Sequence, residues 1–154
     1  MTASVSFEVD GKPEPQGSKF AIIVKGRAQV IDDNPHALKA WRKAVAGAAR
    51  EAVGGRPPLD VACSLEAVFY MPRPKTVTRP EPTVKPDLDK LLRALMDALK
   101  TGGVYTDDAR VTRISIEEVY GQHPGVSVTV MPRRSGLHKV SAGIVPAADE
   151  GGAQ

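Results

Sequence analysis

Two pairs of aspartates lie in the middle of the chain, on either side of a segment with helical periodicity. Asp87 and Asp89 are one residue apart, and Asp107 and Asp108 are adjacent. Carboxylate oxygens are the protein ligands that Mg²⁺ prefers, and the ion usually keeps waters and phosphate oxygens in its remaining positions. Arg93 lies four residues after Asp89, where a guanidinium could contact a phosphate or stabilise developing negative charge. The combination indicates metal-assisted hydrolysis of a phosphate ester.

Each of these residues also has an ordinary structural explanation. Asp87 could be only a helix cap, Asp89 could pair with Arg93 at i,i+4 spacing, and Asp107-Asp108 could form a polar turn. For Asp87 and Asp89 alone we favour the structural explanation. For the whole set we favour the catalytic one, because carboxylates that lie close together repel one another unless a cation or a proton relieves the repulsion.

The segment between the two pairs predicts an amphipathic helix that begins near Leu88 or Asp89 and ends at Gly102-Gly103. A start at that point lets Asp87 and Asp89 converge, with one as the cap and the other beside or inside the first turn. We interpret the rest of the chain as a scaffold that brings the two aspartate pairs together. The apolar residues at helical spacing are Leu88, Leu91, Leu92, Leu95, Met96 and Leu99.

Residues 72–86 form a basic segment that leads directly into the first aspartate pair, and its five prolines exclude a helix or a sheet interior. A loop of this composition can follow a phosphodiester backbone, or it can be a solvated surface loop. Beside the carboxylates we favour contact with DNA. The predicted DNA-binding residues are Arg73, Lys75, Arg79, Lys85 and Lys90.

The run over residues 85–111 resembles the RusA family of Holliday junction resolvases, which are phage-associated endodeoxyribonucleases. The similarity lies in PDLDKL, in MDAL at the end of the predicted helix, and in VYTDDARV; the upstream PRPK is similar to actinobacterial phage members. Outside these stretches only the order of elements is similar. The resemblance implies a Mg²⁺-dependent endonuclease that resolves four-way DNA junctions by paired phosphodiester hydrolysis, in DNA recombination and repair.

The resemblance also implies roles for individual residues. The family's essential lysine falls on Arg93, which keeps the charge but not the geometry or the proton-donating ability of lysine. Many members have Asn directly after the second aspartate, where this chain has Lys90. Mn²⁺ is expected to substitute for Mg²⁺, and no small-molecule cofactor is implied. The implied metal ligands, which with Arg93 are the catalytic residues, are Asp87, Asp89 and Asp108, with Asp107 as an auxiliary ligand.

Composition sets broad limits on the protein. A chain of 154 residues is predicted to form one domain over residues 1–132, followed by a basic and then acidic tail, residues 133–154, that we expect to be disordered. The net charge of +3 favours a polyanionic partner only weakly. Cys63 is the single cysteine, which excludes a disulfide framework and a zinc cluster within one chain. No stretch is typical of a signal peptide or a membrane span, so we expect a cytoplasmic protein.

The element order predicts an α+β (mixed α/β) fold in which two main helices pack on one mixed sheet. One helix is predicted from His36 to about Val53, with Trp41 in the core. A glutamate in the strand at residues 111–120 could add a metal ligand, although we favour its pairing with Arg113 on the exposed face. The predicted strands are residues 4–9, a hairpin of residues 19–24 and 28–31, residues 61–71, and a second hairpin of residues 111–120 and 126–131.

The substrate and the assembly follow from the resemblance rather than from the residues. A four-way junction has two-fold symmetry, so matched cuts in two strands fit a homodimer, which the family also implies. We keep two alternative functions. One is a catalytically silent protein that binds DNA junctions, and the other is a different Mg²⁺-dependent phosphohydrolase. The second is disfavoured, because the sequence has no glycine-rich phosphate cradle and its long basic loop suits a polymer.

Overall fold

The computed structural model describes residues 4–17, 19–32 and 34–134 of the protein. Most of the predicted tail, residues 135–154, therefore lies outside the described residues. Among the described residues no helix is long and apolar enough to cross a membrane. The elements in chain order are β1 (Val5–Asp10), β2 (Lys19–Val24), β3 (Arg27–Asp32), α1 (Pro35–Val53), β4 (Cys63–Pro72), α2 (Leu88–Thr101), a 3₁₀ turn (Asp108–Arg110), β5 (Val111–Gly121) and β6 (Gly125–Pro132).

Four strands form a mixed sheet in the order β1-β6-β4-β5. β4 is an interior strand that pairs in parallel with β5 and antiparallel with β6. The predicted hairpin between β5 and β6 is therefore wrong. β4 carries the fully buried Cys63, Leu65 and Phe69, and the backbone of so buried a strand needs hydrogen-bond partners along both edges. β5 therefore pairs with one edge of β4. The connection at residues 122–124 crosses the end of β4, and β6 pairs with the other edge of β4.

Both predicted helices are present and pack against each other. The Oδ1 of Asn34 accepts a hydrogen bond of 3.1 Å from the backbone amide of Ala37 and caps α1. Gly54, with φ of +61°, ends the helix in the left-handed conformation that glycine adopts without a steric penalty. Trp41 is 4% exposed, so its predicted place in the core is confirmed. Local signals were sufficient here, because caps and periodicity act within a few residues.

The α+β fold class is confirmed, with one qualification about the sheet. β2 and β3 form the predicted hairpin, but among the described strands they pair only with each other, as a separate two-stranded sheet. α1 packs on β1, and α2 contacts β5 and the 3₁₀ turn. α2 therefore lies between the two predicted aspartate pairs. Asp87 is at its start, and Asp108 is in the 3₁₀ turn that follows its end.

Candidate active site

The N-terminus of α2 presents Asp87 at the N-cap position, yet the side chain does not cap the helix. The backbone carbonyl of Asp87 accepts hydrogen bonds from the amides of Lys90 and Leu91, at 3.0 and 3.2 Å. Its carboxylate is exposed and makes no capping hydrogen bond. Because an aspartate selected only as a cap would use its side chain, this geometry does not support the interpretation of Asp87 as only a helix cap.

Glu118 on β5 lies close enough to Asp87 for the two carboxylates to repel each other. Glu118 is half-buried, and its Oε1 is shielded from solvent without a hydrogen-bond partner among the described residues. Burial, and then the negative charge of Asp87, raise the pKa of Glu118. An unpaired buried carboxylate oxygen beside a second carboxylate is unfavourable unless a cation or a proton joins them.

One signal that singles out Glu118 is present in the sequence of β5 itself. Strand alternation places Glu118 on the same face as Ile114 and Ile116, where an acidic residue interrupts an apolar row. The favoured pairing of a strand glutamate with Arg113 is not among the ion pairs of the described residues. The influence of Asp87 on Glu118 arises from the tertiary fold, and neither segment predicts it alone.

Asp89 and Arg93 both point to solvent from the first turns of α2. The side chain of Asp89 is 74% exposed, and its Oδ2 lies 3.6 Å from Nζ of Lys90 rather than pairing with Arg93. Arg93 is exposed, and its Nη1 lies 3.3 Å from the place that a Cβ would take on Gly17. Gly17 has φ of +97°, so both the backbone conformation and the guanidinium favour glycine at this position.

The loop at residues 11–17 lies along this side of α2, a contact that the sequence did not predict. The backbone amide of Gln16 donates a hydrogen bond of 3.0 Å to the carbonyl of Lys90. The side-chain Nε2 of Gln16 donates to Oδ2 of Asp97 at 2.5 Å. These two hydrogen bonds hold the loop beside the helix face that carries Arg93.

Asp108 lies near the other end of α2, beside Asp97. Burial, and then the charge of Asp97, raise the pKa of Asp108. Its Oδ1 is buried without a hydrogen-bond partner among the described residues. The neighbouring hydroxyl of Tyr105 donates its one proton to the carbonyl of Met96 at 2.7 Å, so it does not satisfy that oxygen.

Asp107, the other member of this pair, has a different environment. It is exposed, and its Oδ1 lies 3.6 Å from Nζ of Lys100. The charge of Lys100 is the largest of the influences that lower the pKa of Asp107. Asp107 thus differs from Asp108, whose Oδ1 is buried without a hydrogen-bond partner among the described residues.

One chain keeps its carboxylates in two groups at the two ends of α2. Asp87 and Asp97 are ten residues apart, which corresponds to about 15 Å along a helix. Among the described residues, no three His, Cys, Asp or Glu side chains are close enough together to hold a metal ion. Contrary to the prediction from the sequence, the scaffold of one chain thus does not bring the two aspartate pairs together. We call Asp87, Asp89 and Glu118 the first acid group, and Asp97, Asp107 and Asp108 the second acid group.

A cleft of about 590 Å³ opens beside Asp87, and lysines line much of it. Lys85 and Lys90 were predicted to bind DNA, and both lie in this wall. Lys12 and Lys19 come from the N-terminal loop and β2, and no local pattern groups them with Asp87. Glu14 is the other acidic residue of the lining. We call this the lysine cleft, defined by Lys12, Lys19, Lys85, Lys90 and Asp87.

The remaining predicted DNA-binding residues lie on the loop before the cleft, and two of them contact Tyr120. Nε of Arg79 donates a hydrogen bond of 2.8 Å to the Tyr120 hydroxyl. The guanidinium of Arg73 lies 4.8 Å from the centre of the same ring, a cation–π distance. Lys75 is exposed. The basic loop is therefore anchored to the end of β5, and its arginines have structural contacts as well as charge.

Asp87, which belongs to no ion pair among the described residues, lies in a cleft walled by lysines, and this arrangement fits an enzyme that binds both a cation and a phosphate polymer. A family model described as Endodeoxyribonuclease RusA matches residues 10–131 of the chain. The chain therefore belongs to the RusA endodeoxyribonuclease family, whose members are metal-dependent crossover junction endodeoxyribonucleases. The predicted family and the predicted enzyme class are confirmed.

Two relatives extend this comparison over most of the chain. A protein of Bacillus subtilis (strain 168), named Uncharacterized protein YqaN, is 28% identical over 140 residues, which cover 82% of this chain and 94% of the relative. A protein of Lactococcus phage r1t, named Crossover junction endodeoxyribonuclease rusA, is 26% identical over 133 residues, which cover 84% and 98%. The similarity thus extends well beyond the segment on which the sequence resemblance was based.

Proposed function

We propose that this chain is a Mg²⁺-dependent endonuclease that resolves four-way DNA junctions by paired hydrolysis of phosphodiester bonds, in recombination and repair. One observation carries the proposal: Asp87 of the first acid group lines the lysine cleft, so a carboxylate suited to a cation adjoins a phosphate-binding surface. The phage relative, whose name specifies a crossover junction endodeoxyribonuclease, supports the same substrate. Branched DNA is a polyanion, and its phosphates would bind the lysines of the cleft.

The residues present fit a hard divalent cation. The donors at both ends of α2 are carboxylate oxygens, and Oε1 of Glu118 and Oδ1 of Asp108 are buried without a hydrogen-bond partner among the described residues. When bound, Mg²⁺ or a substituting Mn²⁺ would activate water for attack and offset negative charge on the reacting phosphate. The residues proposed to hold it are Asp87, Asp89 and Asp108, with Asp107 as an auxiliary ligand and Glu118 as an addition from the structure.

A homodimer accounts for the separation of the two acid groups. Within one chain, Asp87 and Asp108 lie at opposite ends of α2. A two-fold axis that sets the first acid group of one copy against the second acid group of its partner would complete two equivalent sites. The same symmetry matches the two strands that a junction resolvase cuts. The proposed dimer thus explains both the geometry and the paired reaction.

The basic residues then have distinct roles. Arg93 lies near Gly17 and binds the phosphate that reacts, because a guanidinium is always protonated and can donate two hydrogen bonds to phosphate oxygens. It does not donate the proton that the leaving oxygen requires, so water supplies that proton. Lys85 and Lys90 bind neighbouring phosphates along the lysine cleft, and the anchored loop of Arg73, Lys75 and Arg79 binds the backbone further along.

Removal of the metal tests this function. We expect EDTA to abolish cleavage of a synthetic four-way junction while binding of the junction persists, because the lysine cleft does not depend on the metal. Adding Mg²⁺ or Mn²⁺ in excess should restore cleavage. The measurement is a gel assay of cleaved strands beside an anisotropy titration of the same labelled junction.

The other outcomes separate the alternatives. Cleavage that continues in EDTA would contradict a metal-dependent mechanism. Binding without cleavage in either metal would indicate a silent junction-binding protein. Turnover of phosphomonoesters or mononucleotides without cleavage of DNA would indicate a different phosphohydrolase.

A further inference from the structure

One side of α1 carries a row of basic residues that the proposed catalytic site does not use. They line a groove of about 450 Å³ between α1 and the C-terminal end of α2, whose lining contains no acidic residue. The floor is apolar and includes Leu38, Ala46 and Ala98. We call this the α1 groove; its basic residues are Lys39, Arg42, Lys43 and Arg50.

The positive charge of this row is not neutralised by other side chains. Within the described parts of the chain, no ion pair includes any of the four bases. Arg50 donates a hydrogen bond of 3.4 Å to the carbonyl of Thr101, which leaves its charge in place. α1 contains four bases and one acid, Glu51, so its formal charge of +3 equals that of the whole chain. The charged residues outside α1 therefore sum to zero, although they include the basic segment of residues 72–86.

The α1 groove adjoins the lysine cleft at the start of α1. Asn34, the N-cap of α1, lines the cleft, and the next residue, Pro35, lines the groove. From Pro35 to Arg50 the helix extends about 22 Å. At ~3.4 Å per base pair this length matches about six to seven base pairs of a duplex.

We propose that the α1 groove binds the phosphate backbone of one duplex arm of the substrate, as an extension of the lysine cleft. This proposal rests on the proposed function, because the arm must belong to DNA that is held in the cleft. Bases spaced along one helix face match phosphates spaced along a strand, and the apolar floor accommodates the sugars. The groove would then fix the direction in which an arm leaves the catalytic site.

Charge decides between DNA and the other occupants of such a groove. A second copy docked symmetrically on α1 would bring two rows of like charge together, which is unfavourable. An acidic protein would satisfy the charge, but it would not explain why the groove adjoins the cleft beside Asp87. A polyanion that extends over both surfaces explains the charge and the adjacency together.

The test compares the native chain with the double variant Lys39→Gln/Lys43→Gln. Both side chains are exposed, so the fold should not change. Junction binding is measured without metal over a range of KCl concentrations, and the bound junction is mapped by hydroxyl-radical footprinting. The slope of log K against log salt is negative, and each phosphate contact contributes close to 0.9 to its magnitude. We therefore expect the magnitude of the slope to decrease by about two and the affinity to decrease by about 10- to 100-fold at ~0.1 M salt. Protection along one arm should disappear, while protection at the branch point remains.

The control is Lys25→Gln/Arg113→Gln, which removes the same charge from exposed positions outside both surfaces and should keep the native slope and footprint. A native slope and footprint in the α1 variant would overturn the proposal. An equal loss in the control would also overturn it, because only total charge would then matter. A native chain that fails to bind junctions at all would instead overturn the proposed function, so the two failures are distinguishable.

Discussion

Replacing Asp87 with Asn should reduce junction cleavage by more than about 100-fold, since even groups that only support metal ligands are worth 10- to 100-fold. Asn is similar in size to Asp and is equally suited to the N-cap, so α2 should form normally. The variant should bind the junction as tightly as the native chain, because the lysine cleft is retained. The measurements are the single-turnover cleavage rate and the dissociation constant for the same junction.

A second readout separates loss of a metal ligand from damage to the fold. Without metal, Asp87 and Glu118 repel each other, so the metal-free Asp87→Asn variant should melt at the same temperature as the native chain or higher. The native chain should gain thermal stability from added Mn²⁺, and the variant should gain less. Asp10→Asn, an exposed position at the end of β1, is the matched control and should behave as native. Native cleavage by Asp87→Asn would remove this carboxylate from the proposed site.

The second large effect is restoration of activity by mixing two inactive variants. Asp87→Asn and Asp108→Asn should each be inactive alone. If the two acid groups meet across a dimer, a mixed dimer has one site with both native carboxylates and one site with neither. Random mixing makes half the dimers mixed, so about one quarter of native sites should return. The product should be singly nicked junctions rather than paired cuts.

The design requires co-expression or co-refolding, so that copies exchange. The matched control mixes Asp87→Asn with Asp89→Asn, which lie in the same acid group, and should remain inactive because every site retains one substitution. Failure of Asp87→Asn and Asp108→Asn to complement, when mixed dimers are demonstrated by mass, would show that each chain forms its site alone. That result would contradict the proposed arrangement of the two groups.

Local sequence signals predicted the elements of this protein well, but not their long-range pairing. Asn34 caps the start of α1 and Gly54 ends the helix, each through contacts with residues no more than four positions away. The predicted bounds of α1 were therefore close to the observed ones. The β5–β6 pairing failed because the short connection suggested a hairpin, whereas β4 intervenes between the two strands. No residue pattern in β5 or β6 indicates that β4 needs a hydrogen-bonded strand along each of its edges.

The same limit applies to the candidate site. Asp87 and Asp108 were predicted as site residues because each belongs to a pair of aspartates close in sequence. The helix between the two pairs was also predicted correctly. That helix also separates the two residues. Its rise per residue sets a distance of about 15 Å along the helix between Asp87 and Asp97. Glu118 and Lys12 approach Asp87 only through the tertiary fold, so no local segment predicts their place beside it.

The most direct test of the central claim is the cleavage pattern of the native chain on a synthetic four-way junction and on its matched linear duplex. We expect, with Mg²⁺, two symmetric nicks in opposite strands of the junction and no comparable cleavage of the duplex. Strand-specific end labels would map both cuts to the nucleotide. Equal cleavage of junction and duplex, or unpaired nicks at unrelated positions, would contradict the assignment of this chain as a junction resolvase.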